Sequence, residues 1–187
     1  MVRKLVLHAA ELTHPPPDAG ALADTLTRLG LTGPPLGGEE GVWLAGDAFL
    51  SLVIFLGCSP HVELRPADTD AGSDGAYCHV RYRVVDGAPV FRAAPGPLRP
   101  RCPACRKPVG EGRSWSSREV GAGAMRLDCP ACGQVFPVAQ LDWRQGAGMG
   151  RWFLELWNIH PHEAVPAEAL ITALEQVAGT PVRYFYE

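Results

Sequence analysis

The chain has 187 residues, of which 47% are hydrophobic and 20% are charged, and its net charge is −3. These values fit one compact domain with room for a small insert, and they exclude global disorder. The longest nearly apolar run, residues 48–56, is too short to span a bilayer. His8 and Glu11 interrupt the apolar residues of the N-terminal stretch, so we expect no signal peptide, no membrane contact and a cytoplasmic location.

The first predicted elements are a strand and a helix. Lys4–His8 has the pattern of a short strand. Leucines then recur at helical spacing and predict a helix over Ala19–Leu29. Asp18 is in position to cap the start of this helix, and Gly30 is in position to end it.

Further along the chain, the run DAFLSLVIFL at 47–56 predicts a buried strand, and YCHVRYRVV at 77–85 alternates like a half-exposed strand. Residues 151–157 predict another strand, 166–179 a helix and 181–187 a closing strand. This order predicts an α+β fold with a mixed or antiparallel sheet and two helices. A ferredoxin-like arrangement is one candidate for it.

The domain organisation follows from two stretches that read as linkers or hinges. Residues 93–100 are rich in proline, and residues 144–150 are rich in glycine. We therefore expect residues 99–142, here called the cysteine segment, to be an insert. Residues 1–98 and 143–187 would then form one discontinuous α+β body.

Two short segments with the same core, CPAC at 102–105 and CPACG at 129–133, hold four of the six cysteines. Their spacing is C-x2-C-x23-C-x2-C. Each pair can close a tight turn in which both sulfurs face one metal ion, and two pairs complete a tetrahedral site. Four sulfur ligands in a 2+2 arrangement favour one zinc ion over an iron–sulfur cluster. The predicted zinc ligands are Cys102, Cys105, Cys129 and Cys132.

The two CPAC turns resemble the knuckles of a zinc ribbon, over residues 99–142 only. Gly133 follows the second knuckle, as is usual in zinc ribbons, whereas Arg106 follows the first. The resemblance implies a structural zinc ion but no particular role, because zinc ribbons serve transcription, translation, enzymes and adaptors alike. The alternative interpretation is a pair of redox-active C-x2-C motifs or free thiols.

A structural zinc ion would explain why the second CPAC motif is present. The cysteine segment is short and contains many glycines and prolines, so it cannot bury enough apolar area to fold alone. Zinc binding supplies folding free energy on the order of 10 kcal/mol. Four protein thiolates also leave no open coordination position, so this zinc would be structural rather than catalytic.

The charge of the chain is unevenly distributed. Residues 92–128 contain eight basic and three acidic residues, a net charge of +5, which leaves −8 for the rest of the chain. Such a segment predicts contacts with an acidic partner. A protein partner is favoured over nucleic acid, because the whole chain is acidic and lacks a dense basic run. The candidate partner-binding residues are Arg106, Lys107, Arg113, Trp115 and Arg118.

A second candidate site consists of turns that follow two apolar strands and carry Pro-His pairs. Its members are Cys58, His61, His160 and His162. If the two strands are adjacent, these side chains can converge on a metal ion or act in catalysis. The alternative is that the histidines are surface turn residues and that Cys58 is a small buried side chain.

The sequence thus favours a non-catalytic interaction or adaptor protein with one structural zinc ion. The competing hypothesis is a metal-dependent enzyme or sensor that uses the second site. No nucleophile, base and acid can be assigned together, so the sequence predicts no reaction.

Overall fold

The computed structural model describes residues 3–57, 62–66, 77–110, 115 and 125–187. These residues form twelve strands and three helices, which confirms the predicted α+β class. In chain order the elements are β1 (Lys4–Ala9), α1 (Ala19–Leu29), β2 (Thr32–Pro35), β3 (Val42–Ala45), α2 (Phe49–Leu52), β4 (Val53–Phe55), β5 (His79–Val84), β6 (Val90–Ala93), β7 (Arg126–Asp128), β8 (Val135–Pro137), β9 (Ala147–Gly150), β10 (Trp152–Trp157), β11 (Ala164–Pro166), α3 (Glu168–Ala178) and β12 (Val182–Tyr186).

The main sheet has six strands in the order β12-β1-β10-β5-β3-β2, and its described pairings are all antiparallel. Three two-stranded sheets accompany it: β4 with β11, β6 with β9, and β7 with β8. The ferredoxin-like arrangement is not confirmed. The N-terminal strand β1 lies between β10 and the edge strand β12, so the first and last strands of the chain pair with each other at one side of the sheet.

Helix α1 has the predicted limits because its capping residues act locally. The side chain of Asp18 accepts a hydrogen bond from the amide of Ala21 at 2.8 Å. Gly30 adopts a left-handed conformation with φ of 76° and closes the last turn. Helix α3 likewise ends at a left-handed glycine, Gly179. Its start differs from the prediction, because Pro166 belongs to β11 and the helix begins at Glu168.

The two longer helices cover one face of the six-stranded sheet. Leucines of α1 and α3, such as Leu22 and Leu170, pack in one buried cluster with Leu7 of β1 and Leu154 of β10. Successive strand side chains point to opposite faces, so Val6 lies on the other face. There it packs with Phe153 and Phe185, and the partly buried Val90 of β6 packs against this cluster.

The run at 47–56 was predicted as one buried strand, and this prediction is wrong. Its centre forms the short helix α2, and only Val53–Phe55 are extended. Strand β4 then pairs with β11 rather than with the main sheet. A short apolar run does not by itself distinguish a strand from a buried helical turn.

The interpretation of residues 144–150 as a hinge is also wrong. Ala147–Gly150 form the fully buried strand β9, which pairs with β6. A Cβ atom at Gly148 would lie 2.5 Å from the ring of Phe185 and 2.6 Å from Nε2 of His8. Glycine is needed here because the strand backbone passes directly against these rings.

Candidate metal centre

The four paired cysteines lie in two turns within the part of the chain that connects β6 to β9. The backbone of Arg101 forms single antiparallel β-bridges with Pro108 and with Asp142. This backbone pairing holds the first turn, which contains Cys102 and Cys105. The second turn connects β7 to β8, whose pairing aligns Asp128 with Val135. Both turns are therefore anchored by antiparallel backbone pairing on each side.

The two turns have the same hydrogen-bond pattern. The amide of Cys102 donates to the carbonyl of Lys107, and its carbonyl accepts from the amide of Arg106, both at 2.9 Å. In the second turn the amide of Cys129 donates to Gln134, and its carbonyl accepts from Gly133, both at 2.8 Å. This repeated pattern aims both cysteines of each pair at one point.

The residue after each pair has a left-handed backbone. Gly133 has φ of 71°, which costs glycine nothing, and Arg106 has φ of 61° at the equivalent position. The arginine therefore does not change the turn, although it departs from the usual glycine. Holding a non-glycine residue in this region costs about 1–3 kcal/mol.

The sulfur atoms have the spacing of a tetrahedral four-sulfur site. All four Sγ atoms lie within 4.8 Å of one another. Cys102 Sγ is 3.8 Å from Cys132 Sγ, and Cys105 Sγ is 3.6 Å from Cys129 Sγ. A tetrahedron with metal–sulfur bonds of about 2.3 Å has sulfur–sulfur edges of about 3.8 Å. The cluster can therefore hold a metal ion without rearrangement.

The cysteines differ in burial and in their protonation. Cys102 and Cys129 are buried, Cys105 is half-buried and Cys132 is exposed. Burial raises the pKa of Cys129, but hydrogen bonds from the amides of Ala131 and Cys132 outweigh it and bring the pKa to about 7. At Cys132 the Gln134 backbone lowers the pKa, but the three neighbouring thiols outweigh it and raise the pKa to about 12. Cys129 can therefore ionise near neutral pH, whereas metal binding must displace the proton of Cys132.

A small apolar cluster surrounds the metal centre. It contains the buried side chains of Phe91, Cys102, Val109, Cys129, Val138, Leu141, Ala147 and Met149. Trp143 lies beside it, with ring centroids 5.1 Å from Phe91 and 5.0 Å from Trp115. This cluster joins the cysteine turns to strands β6 and β9.

The predicted partner-binding residues are only partly described. Arg106 and Lys107 are exposed on the first cysteine turn, whereas Arg113 and Arg118 lie outside the described residues. Trp115 is half-buried and packs edge-on against Trp143. The tryptophan therefore has a packing role, and partner binding through these residues stays a prediction.

The second candidate site is likewise only partly described. Cys58 and His61 lie outside the described residues, and His160 and His162 are exposed. Strand β10, which leads to these histidines, lies between β1 and β5 and does not pair with β4. However, the amide of Leu56 donates to the carbonyl of Glu163 at 2.8 Å, so Leu56 lies beside the histidine turn. Within the described ranges, the four paired cysteines are the only group with metal-ligand spacing.

A buried ion-pair network that the sequence analysis missed connects β6 to the sheet. Glu155 of β10 is fully buried and accepts hydrogen bonds from Arg92 at 2.6 Å and from Trp157 Nε1 at 2.7 Å. Arg92 also pairs with Glu187, which pairs with Lys4. The signal in the sequence was the single acidic residue inside the apolar run WFLELW. This network fixes the strand that leads into the cysteine segment.

Comparison with protein families, with curated proteins and with solved structures finds no match to this chain. Among the described helices, none has the length and apolar character needed to cross a membrane.

Proposed function

We propose that this protein is a non-catalytic interaction module whose cysteine segment folds as a zinc ribbon around one structural zinc ion. The observation that carries this proposal is the convergence of four sulfur atoms at tetrahedral spacing from two equivalent turns. Sulfur ligands in a 2+2 arrangement favour zinc. All four coordination positions come from the protein, so the metal would have no open position for a substrate.

The division into an α+β body (1–98 and 143–187) and an inserted ribbon (99–142) belongs to the same proposal. Its support is that the cysteines pack in a cluster distinct from the one on the helical face of the sheet. Phe91, Ala147 and Met149 of the body complete the cysteine cluster and attach the ribbon to it. Reduced thiols are stable in a reducing compartment, which favours the cytoplasm.

The proposed contact surface is the basic face of the ribbon. Arg99, Arg106, Lys107 and Arg126 are exposed and form no ion pair with any described residue. Unpaired exposed cations attract an acidic surface and guide its association. We favour an acidic protein partner, because the chain as a whole carries a net charge of −3 and would repel a nucleic acid backbone.

Affinity purification with charge-reversed variants tests this proposal. Lys107, Arg113 and Arg118 are replaced together by Glu, and the matched control replaces Arg3, Arg28 and Arg65 of the body by Glu. A partner that is retained after nuclease treatment, kept by the control and lost by the ribbon variant supports the proposal. A partner that both variants retain excludes the basic face as the contact, and one released by nuclease indicates nucleic acid instead.

The second candidate function is a metal-dependent enzyme or sensor. The hydrogen bond from Leu56 to Glu163, next to the histidine turn, favours it. A second zinc or other metal equivalent, lost in a His160→Ala/His162→Ala variant while the first is retained, would support this function. Absence of a second equivalent would remove it.

A further inference from the structure

A large cleft separates the cysteine turns from the sheet and has a volume of about 1020 Å³. Its walls come from distant parts of the chain. One wall contains Arg106 of the first cysteine turn and the loop at 139–145, and the other contains His8 of β1, Ile171 of α3 and Arg183 of β12. Small-molecule sites typically have volumes of about 300–1,000 Å³ and occur between structural units.

The cleft has an excess of positive charge. Arg106, Arg144 and Arg183 line it, and none of them forms an ion pair with a described residue. The acidic residue in the lining is Asp142, and its Oδ1 already accepts a hydrogen bond from the amide of Arg144 at 3.0 Å. Guanidinium groups are well suited to bind carboxylates and phosphates, because their planar donors match both oxygens of the anion.

Three of the polar residues in the lining have a strained backbone. Arg106, Arg144 and Gln145 have φ of 61°, 51° and 62°. Among the described residues, five non-glycine positions have positive φ, and these three all line the same cleft. Glycine would fit each position without strain, as Gly133 does in the second cysteine turn. Strained residues of this kind concentrate at binding and catalytic sites, where the side chain is needed.

His8 forms part of the wall of the cleft. This side chain is only 7% exposed. Its ring lies 5.6 Å from the ring of Phe185, and Gly148 leaves space for it. The imidazole therefore shapes the cleft next to β9.

We propose that this cleft binds a small organic anion, with its carboxylate or phosphate held by Arg106, Arg144 and Arg183. Leu12, Met149 and Ile171 provide an apolar surface for the rest of the ligand. Tyr184 accepts a hydrogen bond from Gln145 at 2.8 Å, which leaves its own hydroxyl proton free to donate to the anion. This inference goes beyond the proposed interaction role, which requires no small ligand.

The test uses the purified protein with the metal it carries on isolation, and three probes. Phenyl phosphate and phenylacetate supply the two anion types, and 2-phenylethanol is the neutral control. Saturation-transfer NMR and calorimetric titration measure their binding. We expect at least one anionic probe to bind and the neutral probe not to bind, and the preferred anion identifies the charged group of the ligand. Binding of neither anion above the level of 2-phenylethanol would overturn the proposal.

Variants separate a ligand role of the arginines from a structural one. Arg183→Gln should weaken binding of the preferred anion by roughly tenfold or more, because it removes a charged hydrogen-bond donor. Arg106→Gly should weaken binding equally while raising the melting temperature, because glycine relieves the positive φ. Lys107→Gln is the matched control, since Lys107 is exposed on the same turn but does not line the cleft. Equal loss of binding in Lys107→Gln and Arg106→Gly would contradict the assignment.

Discussion

Among the described residues, the helical face of the six-stranded sheet buries 21 in one apolar cluster, whereas the cluster around the four cysteines buries eight, and two of these are Cys102 and Cys129. A cluster of the first size can stabilise a domain through removal of apolar surface from water. A cluster of the second size is too small for that, as in other small units that need a metal or disulfides. The comparison leads us to expect that apolar burial stabilises the sheet and that metal ligation stabilises the cysteine segment.

Metal removal should have the largest effect and should be confined to one of the two regions. Cys129→Ser removes one of the two buried ligands and should abolish metal binding, because the remaining three thiols no longer complete the tetrahedron. The loss of folding free energy is on the order of 10 kcal/mol for the cysteine segment. Hydrogen exchange should accelerate at 101–109 and 125–141, and remain slow in β1, β10 and β12.

Equal loss of protection in β1 and β10 after Cys129→Ser would contradict the comparison, since it would make the metal part of the main core. Ala104→Ser is the matched control. It places a hydroxyl at an exposed position of the first cysteine turn and leaves all four ligands in place, so metal binding and exchange should stay as in the wild type.

The next largest effect concerns the attachment of the cysteine segment to the sheet. Glu155→Ala should reduce the free energy of unfolding by about 3 kcal/mol, because Trp157 Nε1 loses its buried acceptor and Arg92 keeps only its pair with Glu187. Arg83→Ala is the control, since Arg83 contacts the same carboxylate at 3.3 Å but is 53% exposed. Its cost should be about 0–1 kcal/mol. Denaturant unfolding measures both, and similar values for the two variants would show that burial of Glu155 has no special importance.

A pH effect should distinguish the sheet from the cysteine segment. Burial lowers the pKa of His8 from 6.5 to about 4, against weaker interactions with the backbones of Ala9 and Met149. Below pH 6.5 the unfolded chain binds a proton that the folded protein does not bind. Stability should therefore be unaffected above pH 7 and fall by about 3 kcal/mol between pH 6.5 and 4.

This contribution should disappear in His8→Gln and persist in His160→Gln, because His160 is exposed. Chemical denaturation at several pH values measures it. If His8→Gln keeps the full acid dependence of the wild type, the decrease in stability has another origin.

The smallest effect should come from removing the whole cysteine segment. Replacement of residues 99–142 by a short Gly/Ser connector should reduce the free energy of unfolding of the remainder by about 1.5–3 kcal/mol, because Phe91 and Met149 lose part of their apolar cover. Loop closure adds little, since it depends only weakly on length. Strands β6 and β9 stay paired and can hold the connector. An unfolded circular dichroism spectrum would show that the two regions form one core and that the proposed domain division is wrong.

The sequence predicted best what depends on neighbouring residues. Helix α1 was predicted with its limits because Asp18 and Gly30 act within one turn of its ends. The clustering of the four paired cysteines was predicted because each turn brings its own pair together, and both pairs lie within the four-sulfur cluster. In both cases the physical cause lies within a few residues of the effect.

The sequence did not predict features that depend on distant residues. Strand β9 has the composition of a hinge, and it is a strand only because β6 pairs with it and Phe185 passes over Gly148. The buried position of Glu155 depends on Arg92, and the cleft at His8 depends on Arg106 and Arg183. These partners are far apart in the chain, and no local pattern connects them.

The most direct test of the central claim is elemental analysis of the protein purified under reducing conditions without added metal. Four sulfur ligands that surround one position predict one tightly bound zinc ion per chain, which is retained through gel filtration. A measured ratio of one zinc per chain, reduced to zero in Cys129→Ser, would confirm the metal-dependent cysteine segment. A well-folded cysteine segment that contains no zinc, or that contains iron, would contradict it.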